Sequence, residues 1–467
     1  MPQSIRAKRD LPKEKNYQIN SFILFLGLSF FSIIFIYLAS VNLLFALGFA
    51  ALGAIALIFY QKPEIGIFLI VFSILGGQLL KLNIGSAESG LLASDILIPF
   101  FIFVWLLRVL IKKDKIPSSF IGPFLFVFIF IAIISMINGL RFLEQKQAVV
   151  SVFYLIRLIN YALLFFASIS IFSQNEGGIK RFKAVLILTF VLFAVVGIFQ
   201  VIYFPSLAAW TVKYGWDPHM GRLFSTFLDP NFAGAFLVIG LIISLSLLTY
   251  AKTIENKLIL TLVSALELTA IILTYSRSTY LFLFISFFVL SILRSRKLLL
   301  IGITAIIILF ILFPRSLERI QGGFSVDESA RNRFKSWANT VTIIRDYPIL
   351  GVGYNTYRYA QENYGFIKPE TTSHAAAGSD ASFLTIFATT GVLGVISFIL
   401  FYLISIIKTK KIYNFSESLQ KRAFGLALFS ILVGLAFHSI FVNSLLYPAI
   451  MIILFVFLGL ISADTPT

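Results

Sequence analysis

Residues 120–139 read FIGPFLFVFIFIAIISMING, an uninterrupted run without a single charge. A helix of that length extends about 30 Å, the thickness of a bilayer's hydrocarbon core. The apolar residues follow one another without the alternation of a barrel strand, so the segment spells a membrane helix and excludes a transmembrane β-barrel. Comparable runs recur near 21–39, 42–60, 63–80, 94–111, 149–173, 183–204, 231–250, 258–275, 278–293, 298–313, 382–407, 423–440 and 445–462. Over the whole chain 59% of residues are hydrophobic and 13% charged, far from the usage of a soluble domain. The pattern predicts an all-α integral membrane protein with about 14 transmembrane helices, roughly 12–14. The first 20 residues are polar and basic without a signal-cleavage pattern, so the first span is expected to remain.

The formal net charge of +17 would suit a nucleic-acid binder. Its distribution argues otherwise, because the basic residues sit in short turns between apolar runs, so no nucleic acid is expected as a partner. Lysines and arginines crowd alternate segments, at Arg6–Lys15, Lys112–Lys115, Lys180–Lys183, Arg294–Lys297, Lys408–Lys411 and Lys421–Arg422. The short loops between them hold only Lys81, Arg141, Lys146, Lys213, Arg222 and Arg277. Basic turns stay cytoplasmic, so both termini are expected inside and the long polar interval 314–381 outside. That interval is longer than helix packing requires, which marks it as functional. Within it Ser325-Val-Asp-Glu328 reads as a capping box, and Phe334, Trp337, Val341 and Ile344 fall on one face at helical spacing. A short amphipathic helix lying on the membrane surface is the expectation.

An arginine inside a span is costly and is a functional candidate by default. Arg277 stands in the turn Tyr275-Ser-Arg-Ser278, between runs of about 17 and 15 residues that reach only about 25 Å and 22 Å. The turn is therefore expected below the outer surface, where Arg277 either snorkels to the headgroups or serves function. Arg157 lies mid-run in 149–173 and either serves function or pairs with a carboxylate such as Glu267, the acid deep in another run. His438 reads as a hydrogen-bonded packing histidine. The outer segment before residue 231 carries Trp210, Trp216 and Arg222, then Asp229-Pro-Asn231, a turn with helix entry capped by Asp229 or Asn231. Gly351 and Gly353 lack the strand and helix of a nucleotide loop. The chain has no cysteine, and neither a Walker A sequence, an HExxH motif nor an acidic cluster spaced for a metal occurs. No cofactor or metal is expected.

Taken in order, Arg222…Asp229-Pro-Asn231, Ser276-Arg-Ser278, Arg333-x3-Trp337, Pro348-x2-Gly-x-Gly-Tyr354 and Asp380-x2-Phe-Leu384…Gly391-x2-Gly394 resemble the O-antigen ligase and polymerase family (Wzy-C type). The resemblance covers about residues 185–460, and the preceding third fits only as a set of spans. It divides the chain into a cytoplasmic N-terminus (1–20), N-terminal membrane helices (21–184) and a ligase-like domain (185–462) that includes the loop 314–381.

The resemblance implies a metal-independent, inverting glycosyltransferase of the bacterial inner membrane. Such an enzyme moves or polymerises oligosaccharide from a polyprenyl diphosphate onto an acceptor glycan hydroxyl at an extracytoplasmic site. Arg222 and Arg277 then correspond to the arginines that hold the diphosphate, a role suited to bidentate guanidinium groups. Arg333, Trp337, Tyr354, Asn231 and Arg157 are expected to contact substrate. The family's ligases carry a histidine where this chain has Asp380, and an aspartate occurs there in polymerase-like members. That departure favours a repeat-unit polymerase over a ligase, with Asp380 as general base and His374 as the alternative. A lipid-linked oligosaccharide flippase is the competing class, opposed by the long loop and by the lack of a repeat between halves.

Overall fold

The computed structural model of the protein describes residues 32–83, 90–114, 116–173, 175–209, 217–321, 328–368 and 378–462. The chain divides into two compact units, Met1–Pro63 and Glu64–Thr467. In the first unit, α1 (Ser32–Val41) is followed by α2 (Leu43–Gln61), whose first turn is capped by Asn42 through a 2.8 Å bond from the Leu44 N–H. Ile36, Leu44, Phe45 and Leu47 are exposed, as expected of side chains that meet lipid.

The second unit begins with α3 (Pro63–Ser73), a 3-10 turn at Ile74–Gly76 and a short antiparallel pairing of Leu82 with Leu91 and Asn83 with Gly90. Then come α4 (Ala93–Lys112), α5 (Gly122–Gly139), α6 (Gln145–Phe172) and α7 (Glu176–Tyr203). After a loop follow α8 (Pro230–Tyr250), α9 (Ile254–Leu273), α10 (Arg277–Arg294) and α11 (Arg296–Leu312). The long polar interval holds α12 (Pro314–Gln321), α13 (Glu328–Asp346) and α14 (Tyr357–Asn363), ahead of α15 (Ser382–Phe415), α16 (Leu419–His438) and α17 (Pro448–Ser462). Among the described residues ten helices are long and apolar enough to cross a membrane, and every apolar run read from the sequence meets a helix. The protein is a multi-pass α-helical membrane protein.

Helix α8 forms the centre, packed by α9, α10 and α16. It is apolar on every face, which suits a helix enclosed by others. Gly234 lets α10 approach so closely that a Cβ there would lie 2.3 Å from Thr279 Oγ1. Helix α17 is buried from Ala449 to Ser462 and packs against α6.

Helix α15 is broken at Gly391, which has φ +66°. The segment Pro348–Gly353 fills the break: Val392 N–H donates to Pro348 O (2.8 Å), Val352 N–H to Ala388 O (2.9 Å) and Gly353 N–H to Thr389 O (3.1 Å). Ser135 of α5 donates to Leu350 O and to Thr389 O. Backbone outside a helix is tolerated in a membrane protein where protein encloses it. The Pro-x2-Gly-x-Gly-Tyr stretch is thus a packing device. Gly351 and Gly353 have positive φ, and a Cβ at Gly391 would come within 2.0 Å of Ile349 O.

One side of α13 is seated on α15, and another is open. Ile343 and Ile344 are buried with Val352, Tyr357, Ala360 and Ala388, while Phe334 is 55% exposed and Val341 38%. The helix therefore docks on α15 through a face turned away from Phe334, because the filled break in α15 offers an apolar seat. Of the proposed capping box, residues 325–327 and the Glu328 side chain lie outside the described residues. One expectation is corrected at α9 and α10, which have 20 and 18 residues and so reach about 30 Å and 27 Å. Their turn is buried by α12 and the 220–222 loop folding over it, not by shortness of the helices.

Candidate functional site

Two helix starts lie side by side. Asp229 caps α8, its Oδ1 accepting the Asn231 N–H (2.6 Å) and the Phe232 N–H (3.2 Å). Ser276 caps α10 and donates to Asn231 Oδ1 at 2.7 Å. The Asp-Pro-Asn and Ser-Arg-Ser motifs are therefore one structural joint, in which Asn231 ties two membrane helices. Arg277 occupies the first position of α10, half-buried beside that joint.

The loop carrying Arg222 is stitched to the same turn. Its Nε donates to Thr274 O (2.9 Å), and Leu223 N–H donates to Leu273 O (2.8 Å). Gln200, buried near the end of α7, holds the loop from below. Its Oε1 accepts the Phe224 and Ser225 N–H groups, and its Nε2 donates to Arg222 O. Two further arginines, four residues apart on α12, cover the turn. Arg315 donates to Gly221 O (3.1 Å) and Met220 O (2.8 Å) and lies 4.7 Å from the Tyr275 ring centre, while Arg319 donates to Tyr275 O (3.4 Å). Burial, with Arg319 and Arg315 adding like charge, lowers Arg222 to about 10 even though Asp229 opposes the shift. Arg222 and Arg315 thus both donate to backbone carbonyls.

The candidate carboxylate stands just before the start of α15. Asp380 sits in the left-handed region (φ +54°), fixed between Ser379, which donates to Ala381 O, and Ser382, whose N–H donates to Ser439 O. Burial pushes the Asp380 carboxyl up to about 6; Arg333 opposes the shift, and Asp229 and Asp217 add to it. Asp229 is thus an electrostatic neighbour of both Arg222 and Asp380. His219, at φ +45° three residues before Arg222, shares Asp229 and Asp217 as neighbours; burial holds it below the usual histidine range.

The structure brings Arg222, Asn231, the Arg277 turn, Arg333 and Asp380 into this region. Trp337 stacks toward Phe441 at 6.1 Å, in the loop after α16. His438 is a packing histidine, its Nδ1 2.9 Å from Ser444 Oγ. Arg157 stands elsewhere, and its expected partner is corrected: it pairs with Asp95 at 2.5 Å, not with Glu267. Asp95 sits in the first turn of α4, where it also accepts the Leu92 N–H, so a carboxylate was available closer at hand than Glu267 on α9. Tyr354, an electrostatic neighbour of Arg157, follows the buried glycine segment. His374, Trp210 and Trp216 lie outside the described residues. Arg315, Arg319 and Gln200 were missed by sequence reasoning. Paired arginines immediately after an apolar run, and one glutamine inside another, were the available signals.

The protein is thus a multi-pass helical protein with several arginines gathered at the start of a membrane helix and a half-buried carboxylate, Asp380, just ahead of another. Residues 260–399 match the family described as O-antigen ligase. The matched region runs from α9 into α15, and holds Arg277, Arg315, Arg319, Arg333 and Asp380. No curated protein matches the chain.

Proposed function

We propose that the protein is a glycan polymerase acting on polyprenyl-diphosphate-linked oligosaccharide at the extracytoplasmic face of the membrane. The observation that supports it most is the joint of the Arg222 and Arg277 turns, with Asp229 an electrostatic neighbour of both Arg222 and Asp380. The donor's diphosphate lies against Arg222, Arg277, Arg315 and Arg319. Asp380 takes the proton from the acceptor hydroxyl, whose oxygen forms a bond to the anomeric carbon of the donor sugar. The bond from that carbon to the diphosphate oxygen breaks, and the diphosphate leaves with the electron pair. A single displacement of this kind inverts the anomeric centre. Fixed guanidinium groups, rather than a metal, meet the charge that develops on the leaving group.

The assay is purified protein in detergent with lipid-linked repeat units, with product masses measured in the presence of EDTA. A ladder of lengthened lipid-linked glycan is expected. Transfer onto a lipid or protein acceptor alone would favour a ligase, and unchanged donor would favour a flippase. Orientation is tested with reporters at Gly322, expected outside, and at Asn256, expected inside. Both reporters on one side would remove the site from the proposed face.

A further inference from the structure

We infer that Thr385 and Asn443 are positioning residues for the Asp380 carboxyl, an inference that rests on Asp380 being the base of the proposed transfer. Helix α15 starts after Ala381, which has no side chain able to cap it. In place of a cap, a chain of buried polar groups runs beneath the turn. Asn443 Oδ1 accepts from the Thr385 hydroxyl (3.0 Å), and Thr385 Oγ1 accepts the Ser379 N–H (3.0 Å). The Ser379 hydroxyl lies 2.9 Å from Thr385 Oγ1 and donates to Ala381 O (3.0 Å). From the other side Asn443 closes on Gly378, where a Cβ would come within 1.6 Å of Asn443 Nδ2.

Packing alone does not call for such a chain, since polar groups taken from water return their cost only when every bond is made. What the chain does is hold the Ser379 N–H and the Ala381 C=O, the peptide groups one step out on either side of a residue in the left-handed region, a conformation that L side chains rarely adopt. Asp380 is the residue so held. Its charged surroundings come from several elements: Arg333 on α13, Asp229 at the cap of α8, Asp217 in the preceding loop and Tyr357 on α14. A carboxyl displaced from this position toward water would move back toward its ordinary 3.8.

The test compares Thr385→Val, Thr385→Ser, Asn443→Ala and Asp380→Asn in the purified protein, with kcat followed across pH on lipid-linked repeat units. Thr385→Val and Asn443→Ala are expected to lose about 10- to 100-fold in kcat, with the acid limb of the profile moving below its wild-type midpoint. Thr385→Ser, which keeps the hydroxyl, should restore both. A purely structural role would lower the amount of folded protein and leave the acid limb in place. Asn443→Ala, one bond further from the turn, keeps the test open should Thr385→Val fail to accumulate. Wild-type kcat and an unmoved limb in Thr385→Val and Asn443→Ala, beside an inactive Asp380→Asn, would overturn the inference and leave the base in place. An active Asp380→Asn would overturn the base itself, and the inference with it.

Discussion

Arg157 and Arg222 are both arginines drawn out of water in a membrane protein, and they are held in opposite ways. Arg157 meets a carboxylate, Asp95, with side chains 11% and 2% exposed, and its charge is cancelled where it stands. Arg222 donates to a neutral carbonyl and faces Arg315 and Arg319. A cancelled pair joins α4 to α6 and has little field left over. Arginines gathered around one turn repel one another, and an anion arriving among them relieves that repulsion, as expected of a binding site rather than a brace. Burial of an arginine therefore does not identify its role; the chemistry of its partner does.

The comparison can be pressed at several points. The largest effect should fall on turnover at the carboxylate. Asp380→Asn is expected to lower kcat by about 10²–10⁴-fold. Because burial raises the Asp380 carboxyl to about 6, its charged form is disfavoured in the fold. Folded protein then holds a proton between about pH 4 and 6 that unfolded protein releases, so this group's contribution to stability falls as pH rises through that window. A neutral asparagine should therefore match or exceed the wild-type melting temperature at pH 7, and a marked drop there would count against the burial argument.

Next is the brace. Asp95→Asn leaves Arg157 buried without its carboxylate and should cost about 3–5 kcal/mol of stability. Replacing both residues by apolar ones, Asp95→Leu with Arg157→Met, should recover most of it while turnover per folded molecule stays near wild type. Denaturation in detergent, followed by assay of the folded fraction, reads both quantities. A fully folded double variant with no turnover would move Arg157 into the substrate site.

A smaller loss is expected at the break in α15. Gly391→Ala demands a positive φ from alanine and places a Cβ against Ile349 O, so about 1–3 kcal/mol should be lost. The smallest concerns Arg315, whose two bonds to Met220 O and Gly221 O pin the Arg222 loop. Arg315→Lys keeps charge and loses the fork, a change of about 1 kcal/mol and so several-fold in KM for the lipid-linked donor. An unchanged KM would detach α12 from the cationic wall.

The membrane class was legible because hydropathy is a local property, written into runs such as 120–139 and recovered as helices. The capping role of Asp229 was legible for the same reason, since a cap is decided within one turn. The partner of Arg157 was not, because Asp95 lies on another helix, and only packing brings the start of α4 beside α6. The seat of α13 on α15 was not legible, since spacing reveals which residues share a side, not which side finds an apolar seat; the seat exists only once Pro348–Gly353 fills the break at Gly391. Arg315 and Arg319 escaped notice because charges in a long loop carry no topological signal, and their role depends on α12 folding back over Tyr275.

The most direct measurement sets the two arginine environments against each other on one substrate. Turnover of lipid-linked repeat units is followed for Arg222→Lys, Arg277→Lys and the doubly apolar Asp95/Arg157 variant, each corrected for folded protein. Lysine retains the charge but not the planar fork, so about a 100-fold loss or more is predicted for both lysine variants. The doubly apolar variant should retain wild-type turnover. Normal turnover in both lysine variants, with loss confined to the Asp95/Arg157 change, would contradict the account by placing the working arginine in the pair rather than in the arginine cluster.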